Sequence, residues 1–123
     1  MRIASIETFL LEAPIQPGFG WSQGWTEKRH VGLVKLVTED GIVGWGEGLN
    51  GPSARIVHDE FAHILLGADP MQRNLIWQAM FRLLYNGNVA GGIGGSAISA
   101  VDTALWDIAG KASGLPVSAL LGG

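Results

Sequence analysis

The chain has 123 residues, of which 47% are hydrophobic and only 15% charged, with a net charge of −3. That length fits one domain with one real core, and the acidic balance argues against nucleic acid as a partner. Cys is absent, which excludes disulfides and thiolate chemistry. The first apolar run carries Glu7, unlike a signal peptide, and no run approaches the ~20 apolar residues of a membrane span, so a soluble cytoplasmic protein is expected.

Residues 2–12, "RIASIETFLLE", are β-rich and stop before Pro14, which predicts a strand. Residues 15–28 are polar, Gly-rich and aromatic, and read as a loop. Residues 29–38 and 42–48 flank Glu39-Asp40-Gly41, a hairpin signal because Gly accepts positive φ without steric cost. Alternation in these strands is imperfect, so partial cover is expected on both faces.

The pattern then turns helical. Ser53 is a candidate N-cap, Val57, Phe61, Ile64 and Leu65 follow helical spacing, and Gly67 supplies the stop. Asp69-Pro70 marks the start of a second helix, apolar over much of its girth. Residues 86–95, "NGNVAGGIGG", read as a Gly-rich loop. Ser96 is a candidate cap for a third helix, with Ala97, Val101, Ala104, Leu105, Ile108 and Ala112 in one stripe and an Asp107–Lys111 pair outside. Gly114 and Pro116 end it, and "PVSALLGG" has room for one more turn. Strands first and helices second predict an α+β fold, a three-stranded antiparallel meander beside a small helical bundle.

Several short motifs invite chemistry. Gly20-Trp21-Ser22-Gln23-Gly24 fits the G-x-S-x-G nucleophile elbow. That elbow needs a strand before Ser and a helix after it, whereas Ser22 has Pro17 and Gly18 before it and a strand after, so a hydrolase is disfavoured. "GIGGSA" at 92–97 fits the dinucleotide fingerprint but follows a helix instead of a strand, and reads as a helix–helix connection. His58 and His63 are five residues apart, about 140° around a helix, and cannot share one metal. His30 is either a surface histidine or a substrate contact beside the aromatic loop. Asp102, with no obvious partner, reads as polar cover or a helix contact. Phe19, Trp21 and Trp25 either fold back onto the core or close over a ligand or interface.

Three segments together resemble one family: "GIVGWGEG" on the hairpin, "LLGADP" between helices, and "SAISAVDTALWDIAGKASGLPVSALLGG" at the end. They resemble the N-terminal capping domain of the mandelate racemase and muconate lactonizing enzyme branch of the enolase superfamily, over essentially the whole chain. "GWGEGLNGPS" and "GADPMQRNLIWQAMFR" are similar to racemases and acid-sugar dehydratases of that group.

The resemblance implies a second domain, a modified (β/α) barrel. The barrel would supply three carboxylates for Mg²⁺ and the Lys or His bases that take a proton α to a substrate carboxylate. It implies that the capping domain supplies no base, metal ligand or cofactor contact, only two loops, residues 15–28 and about 47–53, that close over a small carboxylic-acid substrate. Phe19, Trp21 and Trp25 would exclude water, and Asn50 would reach a substrate hydroxyl. Residues 1–123 end where the barrel should begin. The expectation is therefore a capping domain that is inert alone, binds no Mg²⁺ specifically and self-associates through an apolar face. The alternative is a stand-alone ligand- or protein-binding module.

Overall fold

A computed structural model describes residues 1–87 and 90–123; part of the 86–95 connection lies outside the described residues. Three strands, β1 (Ile3–Trp21), β2 (Gly24–Thr38) and β3 (Val43–Leu49), form an antiparallel sheet in the order β1-β2-β3. Helices α1 (Gly51–Ile56), α2 (Ala62–Leu65), α3 (Arg73–Asn86), α4 (Ile93–Ser113) and α5 (Val117–Leu120) follow, with a π-helical turn, Val57–Phe61, between α1 and α2. The α+β meander with its helical layer is the architecture the residue pattern predicts.

The β2–β3 turn sits at Asp40-Gly41 as the dipeptide predicts: Gly41 has φ 84°, a value L side chains rarely adopt. On β2, Gly32, Val34, Leu36 and Thr38 are buried, while Val31, Leu33, Lys35 and Val37 are half-buried on the other face. Only the first face meets helices. There "GWGEG" explains itself: a Cβ on Gly44 would overlap the Ala104 carbonyl, and one on Gly46 the Ala100 carbonyl. The bare backbone lets α4 lie directly on β3. Ala100, Ala104 and Ile108 form the row that meets the sheet, and Val57, Phe61, Leu65, Met80 and Leu105 complete a fully buried core. Each of the larger side chains, Val, Leu, Ile, Met or Phe, stabilises the fold by roughly 1.5–3 kcal/mol.

Gly110 lies about 200° around α4 from Ile108, on the side away from the sheet. There the chain folds back, with the Leu115 carbonyl and Val117 against Gly110. The layers are therefore sheet, α4, then the C-terminal segment.

Several boundaries differ from the sequence reading, each for a local reason. Asn50, not Ser53, is the α1 N-cap: its Oδ1 accepts from Ser53 N at 3.0 Å, and Ser53 Oγ accepts from Asn50 N at 2.7 Å. This is a reciprocal capping box with Ser in the third position. Asp69 caps only a turn, accepting from Met71 N at 3.0 Å, and α3 begins at Arg73. α4 starts at Ile93 with Gly92 as N-cap, so Ser96 lies inside the helix and its Oγ donates to the Gly92 carbonyl at 3.1 Å. In the predicted stripe, Ala112 is exposed and the other five members are buried. On α3 only Ile76, Met80 and Leu84 are buried; Trp77, Phe81 and Tyr85 stack along its side at centroid distances of 5.1 and 5.7 Å.

The Asp107–Lys111 pair forms at i,i+4 as predicted, partly exposed, and it also reaches β3. Asp107 Oδ2 accepts from Trp45 N at 2.8 Å and from Lys111 Nζ at 2.6 Å, and Lys111 Nζ also donates to the Val43 carbonyl at 2.7 Å. The pair occupies backbone groups on the outer edge of β3, which would otherwise be open to another strand.

Candidate functional site: the hairpin arm and the cleft at its base

The largest correction concerns residues 15–28. They are not a loop but the distal half of the β1–β2 hairpin, paired out to Trp21 and Gly24 around a two-residue turn, Ser22-Gln23. The register slips between Pro14 and Phe19, so Ile15–Gly18 bulge out of the ladder, and the Gln16–Pro17 peptide is cis. The sequence signal was masked by Gly and Pro, which normally mark turns. Here the glycines serve as seats for rings. Gly20 pairs with Trp25 and Gly24 with Trp21, and a Cβ on either Gly would collide with the indole lying on it.

This pairing separates the aromatics. Facing residues in a ladder share a face and successive residues along a strand do not. Phe19 and Trp21 therefore lie on one face of the arm and Trp25 on the other. All three are exposed, Trp25 most at 67%. They do not fold back onto the core. The Arg29 guanidinium sits 5.2 Å from the Phe19 ring centroid. Ser22 is exposed at the tip with a strand on each side, the wrong context for a nucleophile.

At the base of the arm the strands are tied by charge. Glu12 Oε1 lies 2.6 Å from Lys28 Nζ, and Glu12 Oε2 lies 3.6 Å from His30 Nδ1. The Lys28 ammonium, hydrogen-bonded to Glu12, holds its carboxyl below the usual range, with a smaller pull from the charge of His30. Beside this pair opens a cleft of about 420 Å³ lined by Leu10, Leu11, Glu12, His30, Leu49 and Asn50. Of the second predicted loop, 47–53, Glu47–Leu49 belong to β3 and Gly51–Ser53 to α1; the junction between them, Asn50, meets the base of the arm. Asn50 Oδ1 is occupied by Ser53, so only its amide N–H groups remain for the cleft.

The remaining candidates lie elsewhere. His58 Nε2 is 2.9 Å from Thr8 Oγ1, tying the π-helical turn to β1, and His63 is exposed on α2. Among the described residues no group of three or more His, Asp or Glu side chains is placed to hold a metal ion. No described helix is long and apolar enough to cross a membrane. Asp102 has neighbours after all. Burial raises its pKa, while the charge of Arg73 and the indole of Trp106 oppose that shift. The Arg73 guanidinium stacks 4.0 Å from the Trp106 ring centroid. Helix spacing on one strip of sequence cannot reveal a partner on another helix.

Comparison with known proteins agrees with this architecture. The family model for the mandelate racemase / muconate lactonizing enzyme N-terminal domain matches residues 5–122. The chain is 48% identical over 95 residues to a D-galactonate dehydratase of Variovorax paradoxus (strain S110), covering 74% of this chain and 24% of that protein. It is 38% identical over 126 residues to a D-galactarolactone cycloisomerase of Agrobacterium fabrum (strain C58 / ATCC 33970), covering 100% of this chain and 32% of that one. The structure of a racemase from Streptomyces coelicolor A3(2) with bound magnesium superposes with a TM-score of 0.82 at 33% identity, covering 90% of this chain and 32% of that one. The chain therefore spans about a quarter to a third of the length of these relatives. It belongs to the mandelate racemase / muconate lactonizing enzyme family, as an N-terminal domain of that family.

Proposed function

We propose that this chain is the capping and specificity domain of a cytoplasmic, Mg²⁺-dependent enzyme of the enolase superfamily, a racemase or a hydroxy-acid or acid-sugar dehydratase. One observation carries the reading: a glycine-seated aromatic arm extends beyond the helical layer, and its base meets Asn50 at an open cleft. In this reading Phe19 and Trp21 face the substrate and exclude water, while Asn50 donates to it. Trp25, on the opposite face, seals the arm against the rest of the enzyme. In this reading the metal and the bases belong to the barrel. The homologous dehydratase and cycloisomerase, by name, act on galactonate and galactarolactone, which supports a sugar-derived acid as substrate. Assembly into a homo-oligomer is part of the same proposal.

The test is exchange of the α-proton of hydroxy acids for deuterium, followed by NMR. The polypeptide encoded by the complete reading frame should catalyse Mg²⁺-dependent exchange, and residues 1–123 alone should not. A reading frame that stops at Gly123, or exchange by the isolated chain, overturns the proposal in favour of a stand-alone binding module or an unforeseen active site.

A further inference from the structure

The start of α3 holds a charged group that the fold leaves unmatched. Arg73 Nε and Nη1 are buried and have no acceptor among the described residues. The guanidinium lies against the Trp106 ring, 4.0 Å from its centroid, which holds it in place. Asp102 is near enough for its charge to act on Arg73, yet neither of those nitrogens bonds to it. Buried donors of a charged group are costly when unpaired, so they point to an acceptor that the described residues do not supply.

The surroundings narrow the kind of acceptor. A cavity of about 330 Å³ opens beside the guanidinium, lined also by Met71, Gln72, Asn74, Leu75 and Trp106. The first turn of α3 has no acidic residue and no side-chain cap, so its positive end adds to the attraction for an anion. A carboxylate matches a guanidinium in shape as well as charge. Met71 and Leu75 are exposed beside it. A small free anion would leave them in water, whereas a protein surface would cover them. Arg beside Trp, with Met and Leu around them, is the composition of a protein–protein anchor.

Position selects the partner. Trp106 lies one turn before Gly110 on the same side of α4. The C-terminal segment folds against Gly110 through the Leu115 carbonyl and Val117, and Leu115 and Leu121 are exposed along it. In the capping reading the barrel continues from this segment, and so begins on the side of α4 that carries the cavity. We propose that this face of α3 and α4 is the barrel-docking surface, with Arg73 as its anchor for an Asp or Glu side chain of the barrel. This rests on the capping reading above and adds to it a surface and a named contact.

The test treats the complete polypeptide with a water-soluble carbodiimide, which joins an amine to a carboxylate in contact with it. Arg73→Lys should yield a cross-linked peptide between α3 and an Asp or Glu beyond residue 123 of the same molecule, identified by mass spectrometry, and the native guanidinium should yield none. Asn74→Lys, from an exposed position lining the same cavity, should give the same link, so the outcome does not hang on one variant folding. Arg82→Lys, on the opposite side of α3, should not. A link only within residues 1–123, a link between two copies, or no link from either cavity variant overturns the docking surface. Exchange of the α-proton by the same polypeptide keeps the two readings apart. Exchange without the link leaves the capping reading standing, and a reading frame that ends at Gly123 removes both.

Discussion

The two halves of the β1–β2 ladder are the same pair of strands held together in different ways. In the lower half, Val34 and Leu36 point into a core completed by Phe61, Met80 and α4. In the upper half, from Glu12 to Arg29, no described helix covers either face and most residues are exposed. Pairing there relies on indoles lying on glycines, one cation–π contact and the Lys28–Glu12–His30 charges. Backbone hydrogen bonds alone do not make the two equal, because each replaces a bond to water and its net contribution is small. Burial makes one half a scaffold and leaves the other held by local pairing alone.

Substitutions should expose that difference. The largest loss is expected for Phe61→Ala, which empties the centre of the core and should cost about 4 kcal/mol in chemical denaturation. Gly46→Ala drives a methyl into the Ala100 carbonyl and should cost about 3 kcal/mol, since two backbones would have to separate. Asp107→Ala removes an acceptor of Trp45 N and should cost about 1 kcal/mol. Gly20→Ala displaces the Trp25 indole. It should shift tryptophan fluorescence while global stability stays within about 0.5 kcal/mol of native. Equal losses for Gly46→Ala and Gly20→Ala would break the comparison.

Acid should also separate the halves, with opposite signs. Glu12 has a lowered pKa in the folded arm, so its contribution is present above the ordinary Glu range and lost as pH falls through the lowered value. Asp102 has a pKa raised chiefly by burial. The folded domain therefore favours its protonated form, and stability declines as pH rises from the ordinary Asp range through the raised value. Relative to the intrinsic exchange rate at each pH, protection of the Lys28 amide should fall in acid while protection in α4 near Asp102 rises. Parallel changes at both sites would refute the assignment.

Local chemistry alone was enough for the order of elements, the Asp40-Gly41 hairpin and the buried stripe of α4, because each depends on neighbours in the chain: turn geometry and periodicity. The family, too, was legible in "GIVGWGEG" and the α4 segment. Other features depend on contacts between distant residues. The extent of the arm was hidden because Gly20 and Gly24 look like turn residues until the indoles of Trp25 and Trp21 are seen resting on them. The hold of Asp107 and Lys111 on β3 depends on that strand passing beside α4, and the Arg73 neighbour of Asp102 depends on how α3 crosses that helix. The meeting of Glu12, His30 and Asn50 at one cleft was decided by tertiary structure alone. Register brings the first two together across the ladder, and the capping box turns the third toward them, and no spacing along a single strand encodes either.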